Sequence, residues 1–198
     1  MTKIRRKRIL AAKRGHYVRR ILLAWKGARS EDLASGLAWY QRAQDAAKDA
    51  HPNGLIGAGV IAALSPRTGW KQNKIWAKRV CEYALNGSEY PPQVSTYQRL
   101  DKAWQIANLE NPTSEQILAI LNGPKTCRFF RNITGDSQAV TIDVWAQRIA
   151  TGVDSNKPPR GEQYNNLERG YQKAASILGV APRDVQAAVW CSVRGTAE

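Results

Sequence analysis

Two ionisable residues stand out by where the chain puts them. Lys125 follows the turn signal Leu121-Asn122-Gly123-Pro124 and opens the run Lys125-Thr126-Cys127. A Gly-Pro turn that feeds a helix leaves backbone N–H groups unpaired at the helix start, and such an end accepts a phosphate. A lysine in that first turn faces the positive end of the helix, a local cost that calls for a reason, although a solvated side chain is the plainer account. Asp143, eighteen residues further on, lies between Ile142 and Val144 where a helix should begin. It reads either as an N-cap that accepts backbone N–H bonds or as a carboxylate held in a cleft with its charge intact.

The elements that must position these residues are helical. Apolar residues recur at three-to-four spacing almost throughout, and no stretch sustains strict alternation, so the chain is expected to be all-α. Residues 3–26 carry Val18, Ile21, Leu22 and Trp25 at helical spacing, with Gly15 as a possible break between a basic proximal half and a core-facing distal half. Ser30 opens a helix expected to run to about Ala50, where His51-Pro52-Asn53-Gly54 stops it. Leu55–Leu64 is apolar on nearly all sides and reads as the central buried helix, interrupted by Ser65-Pro66-Arg67-Thr68-Gly69 before helical spacing resumes over Trp70–Leu85. Short helices follow around 95–107 and 114–121, then one from near Lys125, one over Val140–Thr151, a polar loop from Asp154 to Gly161, and closing helices over Tyr164–Leu178 and Pro182–Val193.

Charge is concentrated at one end. Lys and Arg number 30 against 16 acidic residues, a formal net charge of +14. Residues 1–29 hold eleven of the basic residues and no acidic one, so the rest of the chain is nearly neutral. The basic arm, with Arg5, Arg6, Lys7, Arg8, Lys13 and Arg14, suggests a polyanion partner, because a Lys or Arg meeting a phosphate releases condensed counterions. An anionic membrane surface would suit the same composition, but no apolar run reaches the roughly 18 residues of a spanning helix. The N-terminus also lacks a secretory signal pattern, and the expectation is a soluble, cytoplasmic protein. Cys81, Cys127 and Cys191, with only His16 and His51 besides, are too few and too scattered for a disulfide framework or a structural zinc, so no metal is expected.

Gly123-Pro124-Lys125-Thr126-Cys127 followed by Ile142-Asp143-Val144-Trp145-Ala146-Gln147-Arg148 resembles the helix-hairpin-helix DNA glycosylase superfamily, which includes endonuclease III and the 8-oxoguanine glycosylases. There a glycine-rich hairpin leads into a Lys-Thr-Ala helix and then a Val-Asp-Thr-His-x-x-Arg element with the catalytic aspartate, at the same eighteen-residue separation as in endonuclease III. The stretch Val60–Asn73 is similar to the family's leucine-serine-glutamine-glutamine-threonine segment. The resemblance spans roughly residues 55–195. The chain departs from the pattern in a shorter hairpin without the second glycine, in Trp145 at the family's histidine position, and in having no iron–sulfur cysteine cluster after Arg148.

The resemblance implies a helix-hairpin-helix glycosylase-like fold for the all-α domain over residues 30–198, with the basic arm over residues 1–29 outside the resemblance, and a monomer acting on double-stranded DNA without a cofactor. It implies that Asp143 stabilises the oxocarbenium-like sugar as the N-glycosidic bond breaks, and that Lys125, if its amine is neutral, attacks C1′ as a lyase nucleophile. A flipped nucleotide leaves a gap, and Arg67 falls where the family has its gap-filling side chain, though a surface arginine on a turn pairs equally well with a phosphate. Gly123 and Thr126 would contact the DNA backbone. Trp70, Trp145 and Trp190 have the shape to stack on a flipped base, while tryptophans so spaced more often fill a core. A bacteriophage base-modification enzyme on the same fold, with the host cytoplasm as its location, stays open. So do a non-catalytic DNA-binding protein and an RNA-binding or ribosomal protein.

Overall fold

The computed structural model describes residues 3–94 and 97–195, with the side chains of residues 3–13, 97 and 98 outside that description. Among the described residues there are eleven helices and no strand, so the chain is all-α. In order they are α1 (Lys3–Gly27), α2 (Ser30–Leu37), α3 (Trp39–Ala50), α4 (Gly54–Leu64), α5 (Trp70–Leu85), α6 (Tyr97–Ala107), α7 (Ser114–Leu121), α8 (Pro124–Ile133), α9 (Val144–Thr151), α10 (Gly161–Leu178) and α11 (Pro182–Arg194). They form two compact units, one from residues up to Tyr40 together with those from Asp136 on, the other from Gln41–Gly135.

In the Gln41–Gly135 unit the central helix is α4, as its composition predicts. Every residue from Ile56 to Leu64 is buried. Small residues let its neighbours approach closely: a Cβ on Gly57 would lie 2.0 Å from the Ala47 carbonyl oxygen, and one on Gly59 would lie 2.8 Å from Ile106 and 2.9 Å from Ile117. Asn53 caps α4 by accepting from the Leu55 N–H at 3.0 Å, and Thr113 and Gln116 form a reciprocal capping box that starts α7.

The unit containing Asp143 is built on α1, α9, α10 and α11, whose core includes Ile21, Ile142, Ile149, Tyr164, Leu167, Tyr171, Val185 and Val189. Tyr17, Val18, Leu22 and Trp25 pack against it from α1. Each fully buried aliphatic side chain here is worth about 1.5–3 kcal/mol relative to exposure. Helix α2 lies directly on α11, where a Cβ on Gly36 would come within 2.2 Å of Ala188 Cα. Basic residues of α1 also have structural partners: Arg20 Nε donates to the Ile149 carbonyl at 3.2 Å, and His16 Nε2 meets the Thr151 carbonyl at 3.2 Å. These groups satisfy the C-terminal end of α9.

Three local expectations change. Helix α1 runs unbroken through Gly15, because a single glycine costs only about 1 kcal/mol against the packing of α1 on its neighbours. The helix expected from Ser30 to Ala50 is two, divided at Ala38, whose N–H bonds back to the Ala34 and Gly36 carbonyls. Val140–Asp143 precedes α9 rather than beginning it, since its backbone is engaged from α10. The Tyr164 hydroxyl donates to the Val140 carbonyl at 3.0 Å and accepts from the Ile142 N–H at 2.9 Å, while Glu168 accepts from the Val140 N–H.

Candidate functional site

In the Gln41–Gly135 unit the α7–α8 connection is a two-residue hairpin. Asn122 closes α7 in the left-handed region (φ 46°, ψ 27°), a conformation asparagine tolerates better than most residues. Gly123 is extended (φ −131°) and offers α8 no side-chain cap, and Pro124 takes the first helical position. The Thr126 hydroxyl donates to the Gly123 carbonyl at 3.2 Å, and a Cβ on Gly123 would sit 2.9 Å from that hydroxyl oxygen. Lys102 donates to the Leu121 carbonyl at 2.8 Å and so occupies the C-terminal end of α7.

Lys125 is half-buried, and its Nζ donates to Ser65 Oγ at 3.4 Å. Ser65 in turn donates to the Ala62 carbonyl at 3.0 Å. The first turn of α8 is therefore tied to the loop that carries Arg67. That loop reverses at Arg67 itself, an exposed residue at φ 59°. A non-glycine residue there stores backbone strain of order 1 kcal/mol. The loop is braced by Arg99, which donates to the Pro66 carbonyl, and by the Thr68 N–H on the Ser65 carbonyl. Trp70 starts α5 with Lys74 Nζ 5.7 Å from its ring centre. In the same helix Asn73 is buried and donates to the Ile61 carbonyl at 3.1 Å.

Asp143 belongs to the other unit, where it is the N-cap of α9. Oδ1 accepts from the Ala146 N–H at 2.8 Å and Oδ2 from the Trp190 indole N–H at 3.1 Å. The carboxylate is half-buried, and its charge is felt by two buried phenols. Burial first, and Asp143 in part, push the Tyr40 and Tyr171 hydroxyls up. Both stay protonated: Tyr40 donates to Gln186 Oε1 at 3.2 Å and Tyr171 to the Ala146 carbonyl at 2.9 Å. Trp145, in the first turn of α9, has the Arg148 guanidinium 4.6 Å from its ring centre and that of Arg194 5.0 Å away. Arg194 also lies 5.3 Å from the Trp190 ring.

A family model described as a family of unknown function (DUF7178) matches residues 3–197. The chain belongs to the DUF7178 family. No curated protein and no solved structure matches it.

In this DUF7178 protein the hairpin residues Gly123 and Thr126 stand with Lys125 at one end of α8, and Lys125 reaches the Arg67 loop. Asp143 and Trp145 meet Trp190 and Arg194 in the other unit. Arg14, at the midpoint of α1, is half-buried, and Arg5, Arg6, Lys7, Arg8 and Lys13 lie outside the described side chains. Sequence reasoning did not single out Ser65, Arg148 or Arg194. Trp145–Arg148 and Trp190–Arg194 are spaced three and four apart, the separations at which side chains on one helix meet, and that spacing was a readable signal. Ser65 carried none. Among the described residues no group of three His, Cys, Asp or Glu side chains could hold a metal ion, and no helix is long and apolar enough to cross a membrane. Cys81 is buried, and burial pushes its thiol up to about 12, which keeps it protonated and unreactive.

Proposed function

We propose that the chain is a DNA glycosylase with abasic-site lyase activity, with Asp143 and Lys125 as its catalytic residues. The observation that carries this reading is the setting of Asp143. Each of its oxygens accepts one hydrogen bond, which fixes the carboxylate and leaves further lone pairs for a developing cation. As the N-glycosidic bond breaks, the electron pair leaves with the base and positive charge grows on the sugar, so a fixed negative charge beside it lowers the barrier. Further support comes from the element order: α7, the Asn122-Gly123 hairpin, α8 with Lys125 in its first turn, then α9 capped by Asp143. The segments that resemble the helix-hairpin-helix glycosylases fall on these elements.

Lys125 acts as nucleophile when its amine is neutral. Nitrogen bonds to C1′ as the base departs, loss of a proton and opening of the sugar ring give a Schiff base, and β-elimination then breaks the C3′–O bond. The exposed, strained Arg67 is assigned to the gap left by the flipped nucleotide. The basic residues of the N-terminal arm supply phosphate contacts.

The test is borohydride trapping on duplexes carrying an abasic site or a panel of damaged and modified bases. Reduction of the Schiff base leaves a covalent protein–DNA adduct, expected in the wild type and lost in Lys125→Ala. Tight binding without an adduct on any duplex would refute the lyase step. Release of free base would then keep Asp143-dependent glycosylase chemistry, and its absence would leave a DNA-binding protein.

A further inference from the structure

Beside Asp143 the unit sets indole and guanidinium groups in alternation. The Trp190 indole N–H donates to Asp143 Oδ2 at 3.1 Å. The Arg194 guanidinium lies 5.3 Å from the Trp190 ring and 5.0 Å from the Trp145 ring, so one flat cation touches both indoles. Arg148 meets Trp145 as well, at 4.6 Å. The two arginines are held differently. Arg148 is anchored by Asp154 at 2.8 Å, by the Ser155 carbonyl at 3.2 Å and by Asn156, and its side chain is 20% exposed. Arg194 is exposed, ends α11, and among the described residues has the two indole rings as its partners. A guanidinium held by ring contacts alone is readily displaced, because such contacts at an exposed site are weak.

We propose that Trp145 and Trp190 together form a stacking site for a nucleobase, and that Arg194 fills this site in the free protein and gives way to the base. A guanidinium is planar and about as thick as an aromatic ring, so a surface that accepts it between or against two indoles accepts a base in the same manner. The indole N–H of Trp190 is bonded to Asp143, so the stacking surface lies beside an anionic acceptor. Once displaced, the Arg194 cation is free to meet the phosphate of the same nucleotide. The inference rests on the proposed function only in taking a nucleic acid as the ligand, and it makes no use of Lys125.

The experiment follows the indole N–H signals of the seven tryptophans in the full-length protein by heteronuclear NMR. Those of Trp145 and Trp190 are assigned by Trp145→Phe and Trp190→Phe. The probes are the four 2′-deoxynucleosides, which carry no phosphate and therefore isolate stacking from charge. The expected result is that the Trp145 and Trp190 signals move with one dissociation constant for at least one nucleoside. Arg194→Ala is expected to lower that constant about three- to tenfold, the weight of the ring contacts it removes. Unmoved signals in both proteins would overturn the site. Equal or weaker binding by Arg194→Ala would overturn the role of Arg194 as occupant. Movement of these signals without a borohydride adduct would retain the base site and remove the lyase chemistry, and an adduct without movement would do the reverse.

Discussion

Asp143 caps α9, the proposed function gives it a second duty toward a substrate, and two substitutions divide the structural duty from the proposed one. Asp143→Ala removes the acceptor for the Ala146 N–H and the acceptor for the Trp190 indole N–H. Loss of an N-cap costs about 1 kcal/mol. A half-buried donor left without its charged acceptor costs about 1–2 kcal/mol more. The sum, about 2–3 kcal/mol, lowers the melting temperature by about 5–10 °C in a chain of this size. Asp143→Asn retains a capping oxygen for Ala146, since asparagine caps as well as aspartate, but presents its amide nitrogen to the Trp190 N–H, donor against donor. It should lose about 1–2 kcal/mol, and thermal unfolding followed by circular dichroism should place it between wild type and Asp143→Ala. If Asp143 also stabilises a cationic sugar, base release should fall by about 10²–10³ in both variants, because neither holds a charge there. Equal melting of the two variants would refute the capping argument. Full base release by Asp143→Asn would refute the catalytic role whatever its stability.

Three further outcomes follow from the structure. Gly57→Ala should destabilise the Gln41–Gly135 unit by about 1–3 kcal/mol, measured by denaturant unfolding, because its Cβ would sit 2.0 Å from the Ala47 carbonyl oxygen and force α3 and α4 apart. A wild-type midpoint would show that the helices move aside freely. His51 is buried, with Nδ1 accepting the Asn53 N–H at 2.9 Å, and burial lowers its pKa from the ordinary 6.5 against a smaller opposing effect of the Asn53 carbonyl, 3.3 Å from the same nitrogen, which favours the protonated ring. The unfolded imidazole therefore takes up a proton first. The contribution to stability is whole above about pH 6.5, falls as the pH drops through that value, and is spent below the lower folded-state pKa. The stability slope over this window should shrink in His51→Gln, and an unchanged slope would assign it to other groups. Removal of residues 1–13, which contain six Lys or Arg, should reduce the slope of log K against log salt for duplex binding by up to about 5. This deletion spares His16 and Arg20, which hold the end of α9. An unchanged salt slope would show that the arm is not on the DNA.

The features legible from the chain alone are those decided within a few residues. The helical spacing, the uniformly apolar run of α4, the stop at His51-Pro52-Asn53-Gly54 and the N-cap position of Asp143 all rest on local sterics and backbone hydrogen bonding, which adjacent residues determine. The partners that give the candidate residues their chemistry are remote. Lys125 meets Ser65 across 60 residues and Asp143 meets Trp190 across 47, and no periodicity encodes which side chains two packed helices bring face to face. Tertiary packing also overrode local signals where the two disagreed. The cost of Gly15 is small against the burial of Ile21 and its neighbours, so α1 stays whole. The apolar Val140–Ile142 segment stays out of α9 because Tyr164 and Glu168 of α10 take its backbone groups. Local free energies of about 1 kcal/mol set where helices begin and end, and the larger sum of buried contacts decides what they carry to one another.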